Sequence, residues 1–213
     1  MGDKINRCMK YFDNFLPIEF IDEVENYTRS ILFDPVWQNA GITVHKNLGH
    51  TFTEDDLNTY IAKHLWPWFA KLPEEFKQRL FKYLLEEKKV LKKTPKQFFT
   101  HLHHSGPLES YPWHTDVHSE YHDPDYTGDN FDGTMGITIY LNKNWDQDWG
   151  GYFLYKDSKD ATSGGFVQPV YNRAVFNNGK EYHAVSGTGL RCDVRLSIQI
   201  FVSMSAVNDE YLS

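Results

Sequence analysis

His114-Thr115-Asp116 sets an imidazole and a carboxylate two residues apart. On an extended strand, residues i and i+2 point to the same face, so both side chains can reach one ion. They supply two legs of a facial triad, and a distant histidine must supply the third. Of the 10 histidines, only His183 follows His122, which makes it the downstream candidate. Two imidazoles and a carboxylate on one face leave three positions open. That arrangement lets Fe(II) bind a chelating co-substrate and then oxygen. Zn, Ni and Co would also bind such a site in vitro, but a soft thiolate site is a different chemistry.

Arg195 lies twelve residues after His183, in the run Arg195-Leu196-Ser197-Ile198-Gln199-Ile200-Phe201. An arginine that alternates into an apolar core is costly unless paired. Its guanidinium forms a fork suited to a carboxylate. A dicarboxylate co-substrate supplies one: its keto acid end chelates the metal and its far carboxylate meets Arg195. Ser197 faces the same way and can add a hydroxyl bond.

These residues need strands to hold them. Short strands are expected over 97–103, 136–141, 151–155, 174–177 and 182–185, with a long final one over 191–203. Turn residues separate them at short intervals, a pattern of a sandwich or barrel. The first 95 residues read differently. Ile18, Ile21, Val24 and Ile31 mark an amphipathic helix within 14–32. Thr53 to Asp56 opens a second helix, with Leu57, Tyr60, Ile61, His64, Leu65 and Trp68 at helical spacing. Pro73, Glu74 and Glu75 open a third, which turns Phe76, Leu80, Tyr83 and Leu84 inward. The expectation is one oxygen-chemistry domain over 1–213. A mostly helical part (1–95) packs on the outside of a strand core (96–205).

Composition narrows the setting. The 22 basic and 29 acidic residues give a net charge of -7, which argues against a nucleic-acid partner. Two cysteines, Cys8 and Cys192, make neither a disulfide scaffold nor an all-thiolate zinc site. No apolar run approaches the length of a membrane span, and the N-terminus has no signal-peptide core. A soluble cytoplasmic protein, monomer or homodimer, is expected. His101, His103 and His104 form a second histidine cluster. It reads as a separate metal site or as alternating residues of the strand beside the first ligands.

Several pieces, taken in order, resemble the Fe(II)/2-oxoglutarate oxygenases of the prolyl 4-hydroxylase type. Tyr111-x-x-His114-x-Asp116 is similar to that family's first-ligand motif. Thr138-Ile139-Tyr140-Leu141-Asn142, then Trp145 and Trp149-Gly150-Gly151, is similar to its strand-and-turn signature. Val175-Phe176-Asn177 leading to His183 resembles the second-histidine strand, and Arg195-x-Ser197 resembles the co-substrate anchor. The resemblance covers about residues 95 to 203.

It implies a mainly β fold with flanking helices, the double-stranded β-helix or jelly-roll. The metal is then Fe(II), with 2-oxoglutarate and O2 as co-substrates and ascorbate as reductant. Two departures from the family pattern stand out. His103 falls where a co-substrate-binding tyrosine is expected, and could donate the same hydrogen bond. Arg191 shares the strand parity of Arg195 and is the alternative anchor. Asp116 favours hydroxylation, because related halogenases lack this carboxylate.

The stretch from Val117 to Gly133 is a long turn-rich insertion, a candidate lid, in which Tyr121, Tyr126 and Phe131 are expected to touch substrate. The expected substrate is a prolyl residue in a peptide or protein. A free amino acid or other small molecule is the alternative, and a non-catalytic metal-binding β-helix module is a third reading.

Overall fold

The computed structural model describes residues 9–31, 68–95, 98–116 and 133–212. Among these residues, ten strands form two antiparallel sheets. They are β1 (Lys10–Phe12), β2 (Trp68–Lys71), β3 (Phe98–Ser105), β4 (Tyr111–His114), β5 (Thr134–Tyr140), β6 (Phe153–Lys156), β7 (Gly165–Val167), β8 (Ala174–Asn178), β9 (Tyr182–Val185) and β10 (Arg195–Ser203). The larger sheet runs β1-β8-β5-β10-β3-β2 and the smaller one β4-β9-β6-β7. This is the two-sheet jelly-roll expected from the sequence.

Strand β10 shows why the sheets face as they do. Leu196, Ile198, Ile200 and Val202 alternate onto one face and are all essentially buried. They join Leu102 of β3 and Met135, Ile137 and Ile139 of β5 in one core, which the helices close. Helix α1 (Ile18–Ile31) contributes Phe20, Ile21 and Val24 to it. Helix α2 (Glu74–Lys82) contributes Leu80, and the π-helical turn Tyr83–Glu87 that follows adds Leu84. Phe76 and Tyr83 pack against this core while partly exposed. Burying such a face contributes on the order of 25 cal/mol for each Å² of apolar surface removed from water.

The opposite face of the larger sheet carries Arg195, Ser197, Tyr140, Thr138 and His103, all buried and polar or amphipathic. Register pairs Ser197 with both His103 and Tyr140, so these three lie side by side. Tyr140 also packs with Phe153 and Val167 of the smaller sheet, so this face looks into the space between the sheets.

The sequence expectations need four corrections. The final strand starts at Arg195 rather than 191, and Arg191 lies in an exposed turn before it. Trp68 opens β2 instead of closing a helix; the rest of that expected helix lies outside the described residues. The N-terminal part is not only helical, since β1 and β2 form the two edges of the larger sheet. Strand β7 was not expected at all. Three residues on the edge of a sheet carry too little alternation to be read.

Candidate functional site

Strands β4 and β9 pair antiparallel with His114 directly opposite His183. Cross-strand partners share a face, so the two imidazoles meet, with ring centroids 4.2 Å apart. Asp116 lies two residues past His114, just beyond the end of β4, and its N–H donates to the Gly179 carbonyl at 2.8 Å. That hydrogen bond returns the carboxylate to the ligand face after the strand has ended. Asp116 Oδ1 is 3.7 Å from His114 Nε2 and 3.5 Å from His183 Nε2. One ligand atom from each residue lies within 4.8 Å of the others, the single group of this kind among the described residues.

The outer nitrogens fix which atoms face inward. His114 Nδ1 is 2.8 Å from the Pro112 carbonyl, and His183 Nδ1 is 2.9 Å from the Glu181 carbonyl. A carbonyl can only accept, so each Nδ1 carries the proton and donates it. Each Nε2 is left with its lone pair towards Asp116, the arrangement that orients histidine for a metal. Phe153 stacks on the His183 ring at 5.2 Å and Tyr111 meets His114 edge-on at 4.4 Å, which holds both rings in place. Asp116 Oδ2 accepts from Asn177 Nδ2 at 2.9 Å.

Burial would raise the Asp116 pKa, but His183, His114 and the Asn177 amide outweigh it and hold the carboxyl low. Burial likewise opposes the charged form of His183, and the Asp116 carboxylate overcomes it, so that pKa rises. The cluster is therefore an anionic acceptor for a cation, whether a proton or a metal.

Arg195 defines the second part of the site. It is fully buried, and Nε, Nη1 and Nη2 have no hydrogen-bond partner among the described residues. Its Cζ lies 4.9 Å from the centroid of the Tyr140 ring, whose buried hydroxyl makes no hydrogen bond of ordinary geometry among the described residues. An unpaired buried guanidinium is costly by several kcal/mol, on the order of 3–5 when a partner is removed. A chain that keeps one has a use for it, and a carboxylate from a bound diacid would take two of the guanidinium N–H groups as a fork and could also accept from the phenol. Burial raises the Tyr140 pKa, and the arginine partly offsets that, so the phenol stays protonated and can donate.

Gly151 provides the room. With φ +68°, it adopts a conformation natural to glycine, and a Cβ there would sit 2.9 Å from Arg195 Cδ. Both parts of the site therefore fit a cation chelated by one end of a keto diacid.

The model of the 2OG-Fe(II) oxygenase superfamily matches residues 100–203, a span that holds every residue of this site. The strand core over residues 100–203 belongs to that superfamily. Among solved structures, the oxygenase resembles a Pseudomonas putida prolyl-4-hydroxylase at 15% identity, covering 92% of this chain and 91% of that one, with TM-score 0.58. It also resembles a Trichoplax adhaerens prolyl hydroxylase, in complex with a hypoxia inducible factor oxygen degradation domain peptide fragment. There the identity is 13%, the coverage 92% and 84%, and the TM-score 0.62. A third neighbour is SnoN, a non-heme α-ketoglutarate-dependent epimerase from nogalamycin biosynthesis, at 9% identity, 90% and 76% coverage and TM-score 0.53. No curated protein matches the sequence.

With this core, the oxygenase is a 2-oxoglutarate/Fe(II)-dependent dioxygenase. Ser197 lies opposite Tyr140 and shares with Arg195 the same face of β10. His103 Nδ1 sits 3.5 Å from Ser197 Oγ. Burial, with the Arg195 charge beside it, pushes the His103 pKa well down, so this ring is neutral. His101 shares the face of His103, while His104 pairs with Leu196 and faces the helix-side core. Alternation thus divides the second histidine cluster between two faces of β3. Tyr121, Tyr126 and Phe131 lie outside the described residues. Tyr140 and Asn177 were missed as site residues. Both sit within motifs that the sequence singles out, but only strand register shows what they touch.

Among the described residues no helix is long and apolar enough to cross a membrane.

Proposed function

We propose that His114, Asp116 and His183 hold Fe(II), and that Arg195, Tyr140 and Ser197 hold the far carboxylate of 2-oxoglutarate. The observation that carries this reading is the pairing of two features in one inter-sheet space. Two lone-pair nitrogens and a carboxylate oxygen converge, and a fully buried guanidinium stands without a hydrogen-bond partner among the described residues.

When bound, the metal and its co-substrate supply an oxidation in which 2-oxoglutarate and O2 give succinate, carbon dioxide and a hydroxylated C–H. The chain's own residues bind, orient and shield. The carbonyls of Pro112 and Glu181 keep both histidines in the metal-binding tautomer. Arg195 supplies the charge that selects a diacid over a monoacid, and Tyr140 donates from its protonated phenol. His103, being neutral, adds a hydrogen bond without adding charge to the pocket. The edge strands β1 and β2 support reading 1–213 as one oxygenase domain, because the N-terminal third completes the larger sheet.

For the substrate, the proposed target is a prolyl residue in a peptide or protein. The sequence motifs and the likeness to two prolyl hydroxylase structures favour it. A small-molecule substrate is the second reading, favoured by the epimerase that shares the fold. Succinate release is measured with Fe(II), ascorbate as the expected reductant, and either a proline-containing peptide library or free amino acids. Peptide-dependent succinate with a gain of one oxygen on proline supports the first reading. Stimulation by free amino acids alone supports the second, and no succinate under any condition would reject oxygenase activity.

A further inference from the structure

Asp116 has two oxygens, and a carboxylate can bind a metal through one or both. The difference matters in a facial triad. Three protein donors leave three positions, enough for a chelating keto acid and for O2. A carboxylate that binds through both oxygens takes one of those positions.

The two oxygens of Asp116 are treated differently by the fold. Oδ1 faces the Nε2 atoms of both histidines, at 3.7 and 3.5 Å. Oδ2 accepts a hydrogen bond from Asn177 Nδ2 at 2.9 Å. Asn177 is buried on β8, only 2% exposed, so its amide meets the part-buried carboxylate from the protein interior. The backbone supports the same grip. Asp116 N–H donates to the Gly179 carbonyl at 2.8 Å, and Gly179 N–H donates to the Thr134 carbonyl at 2.7 Å.

Gly136 on β5 faces Asn177 in register. A Cβ at Gly136 would lie 2.5 Å from Asn177 Oδ1 and 2.9 Å from Nδ2. No side chain at 136 is compatible with the amide where it stands. Glycine in a strand interior is destabilising relative to alanine, and it commonly marks a close approach. Here the close approach is the seat of the Asn177 amide.

We propose that Asn177 is a positioning residue that restricts Asp116 to one metal-facing oxygen, and that Gly136 makes room for it. The proposal rests on reading His114, Asp116 and His183 as metal ligands. Asn177 touches neither co-substrate nor reacting atoms. It acts through Asp116 by occupying the second oxygen, and so keeps a coordination position open.

The test counts open positions directly. Mn(II) alone is added to the full chain, and inner-sphere waters are counted from the paramagnetic relaxation of solvent protons. Wild type should show about three waters, the positions a facial triad leaves free. Asn177→Leu removes the donor at similar volume, and Gly136→Ala displaces it by a different route. Each should lower the count to about two while Mn(II) affinity stays within about 3-fold, because the freed oxygen becomes a ligand. With Fe(II), succinate formation should fall at least about 10-fold while the KM for 2-oxoglutarate stays within about 3-fold, a loss in kcat rather than in binding. Thermal melts accompany each variant, and if one fails to fold the other carries the test.

An unchanged count of about three in the folded variants overturns the proposal. So does a loss of Mn(II) affinity beyond about 10-fold, since Asn177 would then support the carboxylate rather than select its binding mode. If wild type itself fails to bind Mn(II), the ligand reading falls and takes the proposal with it. A wild type that binds with about three waters, beside unchanged variants, leaves the ligand reading intact and rejects only the role of Asn177.

Discussion

Replacing Arg195 with Met should make the ligand-free protein no less stable while destroying its response to 2-oxoglutarate. Methionine follows much the same path as the arginine stem past Gly151, whose missing Cβ leaves that path open. The guanidinium has no hydrogen-bond partner among the described residues, so the substitution breaks none there and removes a buried charge. Exchanging buried charge for apolar volume is often neutral or stabilising by about 1–4 kcal/mol. In a chain of this size, 1 kcal/mol corresponds to roughly 2–4 °C in Tm. The co-substrate response moves the other way. Two charge-assisted hydrogen bonds at about 1.5–3 kcal/mol each, less what Tyr140 and Ser197 still supply, suggest a loss near 3–4 kcal/mol. That is a fall in affinity on the order of 10²–10³-fold. Thermal melts of the metal-free and Mn(II)-loaded proteins, titrated with 2-oxoglutarate under anaerobic conditions, read both quantities. The reasoning is refuted if the Met variant still gains stability from 2-oxoglutarate as wild type does. It is equally refuted if the ligand-free variant loses more than about 2 kcal/mol, because Arg195 would then have a structural partner in the native chain.

Four further outcomes follow from the same geometry. Mn(II) at about 100 times its Kd should stabilise wild type by about 2.7 kcal/mol, and the shift should vanish in Asp116→Ala, as read by differential scanning calorimetry. Chelator treatment should abolish succinate formation, and Fe(II) should restore it; activity that persists after exhaustive chelation would contradict the metal assignment. Gly151→Ala must hold φ near +68° and set a Cβ 2.9 Å from Arg195 Cδ; it should cost about 1–3 kcal/mol of stability and raise the KM for 2-oxoglutarate. His104, buried against the helix-side core, has its pKa lowered from 6.5 to about 3. The unfolded chain therefore binds a proton that the native one refuses. The neutral ring's contribution is fully present above pH 6.5 and is lost as pH falls towards 3. At about pH 4.5 the loss is about 2–3 kcal/mol, so His104→Gln should flatten the wild-type decline by that much in urea melts; parallel curves would refute it.

How far the site could be read from sequence depends on which geometric relation each residue needs. His114, Asp116, Arg195 and Ser197 need only parity along one strand, a local property that alternation carries directly. Even there, parity did not predict that β4 ends at His114 and that Asp116 is turned back by a hydrogen bond to Gly179. Parity also could not separate Arg191 from Arg195, because both lie at the same phase. What separates them is that pairing with β3 begins at Arg195 and leaves Arg191 in an exposed turn. Tyr140 and Asn177 need register between strands that are far apart in sequence. Tyr140 meets Arg195 only because β5 and β10 align Tyr140 with Ser197, and Asn177 keeps its place only because Gly136 falls opposite it. A slip of one residue in either pairing would turn these side chains to the helix-side core and leave the guanidinium facing apolar groups. The Ile198–Ile139 and Ile200–Ile137 pairs resist that slip, since it would drive buried isoleucines into the polar inter-sheet space. The hydrophobic core therefore sets the chemistry of the site: the residues that bury the helix-facing side fix, to within one residue, which polar groups meet on the other.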